Sequence, residues 1–323
     1  KPLVALAALE FGTIDPEKTI QCKGHKHPYE LYGVKYHCWK KHGHGYMKLR
    51  NAIKQSCDIY FYEMARILGV DRLSIIAKRY GLGSNILKDI YFDEKRGVVP
   101  NTEWKKNAIG KSWYLGETVI NGIGQGYIQT TPLQLCLMTA QIANGGYKIK
   151  PHILYDKDIN FENAKLEIAK QFTNDSLINR PILEDREFKL YERLYKNSQN
   201  LNFVKDAMFG STNEQYGTSF KSRFENLKYQ FAGKTGTSQV KRITEQEREL
   251  DLKQSQIEYK NRDHALYIAF APYKEPRYSI SVLVEHGGSG SKTAAPLAKK
   301  LIKKIIDRHK TREQIRKANL NLV

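Results

Sequence analysis

The 323-residue sequence has no run of about 18 consecutive apolar residues, so no segment of it reads as a membrane-spanning helix. It also lacks a basic-then-apolar leader ending in a small-residue cleavage site. There is no starter methionine, and Lys1-Pro2-Leu3-Val4 runs straight into an apolar helical pattern. That beginning predicts a fragment, with any anchor or signal upstream of Lys1. Internal repeats and low-complexity tracts are absent, which excludes a repeat architecture. Acidic residues are scarce, at 34 Asp+Glu against 53 Lys+Arg, giving a formal charge of +19. Such a balance favours anionic partners. No Cys/His finger with its helix accompanies the charge, and nucleic acid is not an expected partner. What is present, 41% hydrophobic and 27% charged residues, suits a folded chain with a core of one large or two ordinary domains.

Leu3 to Leu9 is apolar on most sides and predicts a buried helix, ended by Gly12 and Asp15-Pro16. Cys22 to Gly45 is irregular and rich in His, Cys, Tyr and Gly. Apolar spacing predicts one helix from Lys48 to Leu68 and another running to Tyr80. Asn121 to Thr131 is punctuated by glycine, and Pro132 opens a helix to Asn144. The stretch from Pro151 to Lys228 is polar, with helices expected at Leu183–Asn197 and Leu201–Phe209. Tyr229–Val240, Ala265–Tyr273 and Arg277–Glu285 read as strands, joined by a charged connection over Thr244–Asp263. Lys299 to Lys317 carries nine Lys/Arg, and Leu301, Ile302, Ile305 and Ile306 predict a packed helix with a solvated basic face. Helices, then a strand cluster, then a terminal helix indicate an α+β architecture with an antiparallel sheet.

Gly233-Lys234-Thr235-Gly236-Thr237-Ser238 lies in the first of those strands. A Lys-Thr-Gly at a strand edge offers a cation, a hydroxyl and close backbone approach. Ser56-Cys57-Asp58 lies in the helical region before it. Neither triplet is specific alone. The glycine block at 122–126 invites a nucleotide-binding reading, but no βαβ unit frames it.

Together these elements resemble the penicillin-recognising serine acyltransferases, which combine Ser-x-x-Lys, Ser-x-Asn or Ser-x-Asp, and Lys-Thr-Gly in that order. Lys1-Pro2 before an apolar helix resembles the end of the first motif. Trp39-Lys40-Lys41-His42-Gly43-His44-Gly45, Gly122-Ile123-Gly124-Gln125-Gly126-Tyr127 with Thr131-Pro132, and Ala269-Phe270-Ala271-Pro272-Tyr273 resemble blocks of the elongation-type class B penicillin-binding proteins, the penicillin-binding protein 2 group. The resemblance implies a transpeptidase/β-lactamase-like fold: an antiparallel sheet flanked by helices, with a mostly helical subdomain. Residues 1–323 would form one transpeptidase domain, with a helical part over about 1–150, an insertion over about 156–228, and sheet plus C-terminal helix over about 229–310.

It further implies an acyl-transfer site whose nucleophilic serine stands three residues before Lys1, outside this sequence. A lysine one helical turn on shares the serine's face and serves as base only when burial or neighbouring cations disfavour its proton. Ser56 would relay a proton to the leaving amine, with Asp58 fixing local geometry. Family analogues often carry Asn there, and the acid adds negative charge beside two lysines. Lys234, Thr235 and Thr237 would hold the donor peptide's terminal carboxylate, with Gly236 admitting its backbone. The backbone N–H of Thr237 and of the serine would make the oxyanion hole. Implied partners are peptidoglycan stem peptides and lipid-linked precursor, β-lactam inhibitors, a RodA-type glycosyltransferase and an MreC-type scaffold. The implied location is the periplasmic face of the bacterial inner membrane. A β-lactamase, a β-lactam sensor domain and a non-catalytic wall-synthesis scaffold are the competing readings.

The cysteines are Cys22, Cys38, Cys57 and Cys136. Cys22, Cys38, His44 and Cys57 give the spacing Cys-x15-Cys-x5-His-x12-Cys, a donor set suited to structural zinc. The resemblance supports this, since relatives carry zinc here with a second-motif ligand and Asp-type ligands where this chain has Cys22 and Cys38. A Cys22–Cys38 disulfide, inert thiols, or His25, His27 or His42 in place of His44 are the alternatives. Cys136 reads as a core residue.

Overall fold

The computed structural model describes residues 1–87, 93–151, 192–241 and 256–320. Helix α1, Pro2–Glu10, opens with proline in its first turn and is buried on almost all sides, as a helix apolar from Pro2 to Leu9 must be. It packs against α3 (Asp58–Leu68), α4 (Val70–Arg79) and α8 (Ser198–Asn213), so Lys1, its N-cap, is fixed at the edge of the core. Between α1 and α2 (Leu49–Gln55) lie two antiparallel ribbons, β1 (Ile20–Cys22) with β4 (Gly45–Met47), and β2 (Tyr29–Leu31) with β3 (Val34–Tyr36). Further along come α5 (Thr102–Ile109), α6 (Leu115–Gly122) and α7 (Pro132–Ala143), the last started by a Thr131/Gln134 capping box.

The expected strands form one antiparallel sheet in the order β5 (Ala232–Ser238), β6 (His264–Ala271), β7 (Tyr278–Val284). Its two faces serve different cores. Ile268 and Phe270 face the helical lobe, whereas Ala265, Tyr267, Ala269 and Ala271 pack with Ala294, Ala295 and Ala298 at the start of α9 (Ala295–Leu320). Lys234 pairs with Ile268 in register and shares its face, so the strand period aims it at the helical lobe.

Four expectations are corrected. The single helix over Lys48–Leu68 is two helices, broken at Ser56, which is left-handed with φ 59°. The Cys57 N–H donates to Ala52 O and the Ser56 N–H to Ile53 O, a Schellman-type stop in which serine takes the place glycine usually fills. Residues 192–197 of the expected Leu183–Asn197 helix are not helical: Arg193 bridges to Tyr147, and Asn197 caps α8. Residues 183–191 lie outside the described residues, as do 244–255 of the charged connection. On α9, Ile302 and Ile306 are buried, but Leu301 and Ile305 are exposed, so the packed stripe is narrower than the sequence pattern. Cys136 is half-buried, its Sγ 3.1 Å from Ser279 Oγ on β7.

An ion cluster locks α2 to α8. Arg50 pairs with Asp206 and Glu214, and Lys54 with Glu214 at 2.8 Å. Arg50 chiefly, with Lys54, pulls the Glu214 carboxyl from its ordinary 4.5 down to about 2 against the opposing effect of burial. A depressed carboxyl stabilises fully above pH 4.5, and that stabilisation is lost as pH falls towards 2. Glu214 is one-third exposed, so solvent screening brings its contribution to about 1 kcal/mol. Glu214→Gln is therefore expected to lower the thermal midpoint by a few degrees at pH 7, with the gap from the parent closing between pH 4.5 and 2. A gap independent of pH in thermal unfolding would refute the assignment.

Candidate active site and thiol cluster

The break between α2 and α3 is where the site forms. The last carbonyls of α2 have no intrahelical partner. His44 Nε2 donates to Gln55 O at 3.2 Å, while Trp39 Nε1 and Lys1 Nζ donate to Ser56 O at 2.9 and 3.3 Å. Lys1 Nζ also lies 3.1 Å from Ser56 Oγ and 2.5 Å from Asp58 Oδ1. Asp58 sits in the first turn of α3, where the helix dipole favours an anion, and accepts the Trp39 backbone N–H at 2.9 Å. Burial pushes its carboxyl up, opposed by the Lys1 charge.

Lys234 enters from β5 and is 3% exposed. Burial first, then the Lys1 charge, holds its ammonium well below the usual lysine range, while Asp58 opposes them. Its Nζ donates to Thr235 O at 3.1 Å and lies 3.4 Å from Thr235 Oγ1. Thr235 is half-buried and Thr237 is exposed at the strand's outer end. A Cβ at Gly233 would sit 2.3 Å from Tyr267 Oη, so only glycine lets that tyrosine lie beneath the strand. The structure thus brings Lys1, Ser56, Asp58 and Lys234 together in one partly buried group of charges, with Thr235, Gly236 and Thr237 running outward from it.

Behind Ser56 lies a second cluster. The ligand atoms of Cys22, Cys38, His44 and Cys57 all lie within 4.8 Å of one another, close enough to hold a metal. His44 Nδ1 is 3.6 Å from Cys22 Sγ and 3.4 Å from Cys38 Sγ. Because Nε2 donates to Gln55 O, Nδ1 carries the lone pair, the tautomer a metal ligand needs. The three cysteines are free and buried. Hydrogen bonds from Cys38 and Cys57 pull the Cys22 thiol down to about 3, whereas losing the last proton, from Cys57, is strongly disfavoured beside the other two sulfurs. Three thiols this close fit a cation that takes their negative charge. Gly24 and Gly43 let two turns cross, since a Cβ on either would sit 2.2 Å from a carbonyl of the other turn. His25, His27 and His42 are not in the cluster.

Trp39 was not singled out as a site residue by sequence, although it stands in one of the blocks that carried the resemblance. Its two donors tie the cysteine-bearing loop to Ser56 and Asp58.

Residues 1–303 match the family model for the penicillin binding protein transpeptidase domain. The chain is 33% identical over 310 residues to the peptidoglycan D,D-transpeptidase MrdA of Salmonella typhimurium, covering 95% of this chain and 45% of that protein. The Haemophilus influenzae MrdA is 34% identical over 308 residues, covering 94% and 42%. The chain therefore spans about half the length of the curated relatives it matches. Among solved structures, Pseudomonas aeruginosa PBP2 in complex with WCK 5153 superposes with a TM-score of 0.73 at 34% identity, over 94% of this chain and 59% of that one. The Helicobacter pylori complex of PBP2 with MreC gives 0.73 at 29% identity, over 94% and 48%. A three-stranded antiparallel sheet among the described residues, between a helical lobe and a C-terminal helix, and the family match over residues 1–303 go together, and the chain belongs to the penicillin-binding protein transpeptidase domain family.

Proposed function

We propose that this chain is the catalytic domain of a serine-type peptidoglycan D,D-transpeptidase that cross-links stem peptides during cell elongation. The observation that carries the reading is Lys1 Nζ at 3.1 Å from Ser56 Oγ and paired with Asp58, with Lys234 buried on the face of β5 that looks at the helical lobe. In the full-length protein a serine three residues before Lys1 shares its helical face. Lys1 takes the serine's proton as the oxygen attacks the penultimate D-Ala carbonyl. Ser56 passes a proton to the departing D-Ala amine. The acyl-serine is then attacked by a stem-peptide amine, with the same groups working in reverse. Lys234, Thr235 and Thr237 bind the donor's terminal carboxylate, and Gly236 lets its backbone approach. The N–H of Thr237 and of the serine stabilise the oxyanion, each worth about 3 kcal/mol in comparable sites. Asp58 holds Lys1 in place.

Cys22, Cys38, His44 and Cys57 would hold a structural zinc ion, which when bound neutralises the thiolates and fixes the backbone between Ser56 and Asp58. The domain would work at the periplasmic face of the inner membrane, anchored by an upstream segment, on lipid-linked precursor and stem peptides. By analogy with the PBP2–MreC complex an MreC-type scaffold is an expected partner, and the family resemblance adds a RodA-type glycosyltransferase. β-Lactams would acylate the same serine.

Incubating the full-length protein with benzylpenicillin and measuring intact mass tests this. A stable adduct lost when the upstream serine is replaced is expected. Rapid drug loss without adduct would instead make it a β-lactamase, and neither adduct nor turnover a non-catalytic scaffold.

A further inference from the structure

Thr218 belongs to no motif, yet it touches both halves of the site. It lies in the turn after α8, where its backbone N–H donates to Lys54 O at 3.3 Å, one of the free carbonyls at the end of α2. Its hydroxyl lies 2.9 Å from Thr235 Oγ1 and 3.1 Å from Ser211 Oγ. The turn itself is tied down: the Ser219 N–H and Oγ both bond Ser211 O, and Ser219 Oγ lies 2.9 Å from the buried Tyr267 Oη. One residue therefore joins the helix end carrying Ser56 to the strand carrying Lys234 and Thr235.

The chemistry of the hydroxyl chain adds a second point. Thr235 Oγ1 has one proton to give and lies within reach of Lys234 Nζ and Thr218 Oγ1. Thr235 donates to Thr218, whose hydroxyl pairs with Ser211 in either direction. To donate to a carboxylate, Thr235 must release Thr218, and a second donor behind it, beside Lys234 Nζ at 3.4 Å, then polarises its oxygen further. Thr218 can rotate to become that donor, because Ser211 can take either role.

We infer that Thr218 is a positioning residue for carboxylate recognition, a reversible hydroxyl that lets Thr235 turn its proton to the substrate's terminal carboxylate. The inference rests on the acylation reading above. Without the Thr218 hydroxyl, Thr235 loses its resting acceptor and one of its two polarising donors, keeping only Lys234 Nζ at 3.4 Å, and the loss falls on ligands bearing the carboxylate.

The test compares second-order acylation rates of full-length protein with benzylpenicillin and with its methyl ester, which lacks the anion. Thr218→Val is expected to slow acylation by benzylpenicillin about tenfold, the scale of one charge-assisted hydrogen bond, and to leave the ester rate within about twofold. Thr218→Ser, which keeps the hydroxyl, is expected to restore the benzylpenicillin rate. Should valine lower the melting temperature, Thr218→Ala carries the same comparison with more room at the position. Equal losses with both probes would make Thr218 merely structural and overturn the inference, as would no loss with either. No adduct from either probe in the unaltered protein would overturn the acylation reading itself, and the inference with it.

Discussion

Full-length protein purified without chelator is expected to carry one zinc per chain, and stripping that zinc to lower its melting temperature by about 10 °C. The size of the effect follows from what the cluster would otherwise contain. Cys22, Cys38 and Cys57 are buried and lie within 4.8 Å of one another with His44. Without a cation they leave a buried thiolate at Cys22 held by hydrogen bonds from the Cys38 and Cys57 thiols, with no partner among the described residues to take its charge. With one they become ligands worth several kcal/mol of folding free energy, here taken as about 5 kcal/mol, or about 10 °C for a chain of this size. Cys57→Ser is expected to give most of the same loss in metal-content and thermal measurements. Because Cys57 is the residue between Ser56 and Asp58, benzylpenicillin acylation should fall more than tenfold in the same variant. A metal-free purified protein with unchanged stability on chelation would remove the zinc assignment and leave the thiols as packing residues.

The sheet was legible because its signal is local. Tyr229–Val240, Ala265–Tyr273 and Arg277–Glu285 alternate or run apolar, and β5 and β7 lie inside those limits while β6 begins one residue earlier, at His264. Proline at 132 after a threonine marked the start of α7 for the same reason: a cap depends on four consecutive residues. The break at Ser56 was not legible. Ala52, Ile53, Ile59 and Tyr60 continue a helical stripe through it, and no glycine or proline interrupts them. What stops the helix is non-local: Trp39, Lys1 and His44 compete for the carbonyls of residues 55 and 56. The strained residue is also the one proposed to move a proton, as expected when tertiary contacts over-determine a functional site.

The donor set of the cluster was legible as residue types and spacing, while the choice of His44 among nearby histidines was not. That choice depends on the Gln55 carbonyl fixing the tautomer. Strands β1 to β4 have three residues each, too short for alternation to show, and the crossing of the turns at Gly24 and Gly43 shapes them from outside. Thr218 left no trace in the sequence either, because a hydroxyl acts here only through partners on α2, α8 and β5. On α9, the sequence pattern gave a four-residue stripe, but the alanine-rich packing against β6 admits only Ile302 and Ile306.

Lys1→Ala in the full-length protein is expected to cut benzylpenicillin acylation about a thousandfold, the range of a lost general base. The substitution also leaves Asp58 as a buried carboxylate without its partner, which by itself destabilises the fold. Combining it with Asp58→Asn removes that stranded charge, so a double variant with recovered stability and absent acylation isolates the chemistry. Lys234 is expected to behave differently, because its proposed work is to hold an anion while protonated. Burial and the Lys1 charge keep its proton affinity well below the ordinary lysine value of 10.5. The carboxylate site is therefore intact at low pH and fails as pH rises through that lowered value. The acylation rate should show an alkaline decline below pH 10.5, and Lys234→Arg should shift that decline upward, since a guanidinium keeps its proton. The methyl ester of the drug, with no carboxylate to hold, should show little of it. A decline that survives Lys234→Arg unchanged would place the titrating group elsewhere and leave Lys234 with a packing role alone.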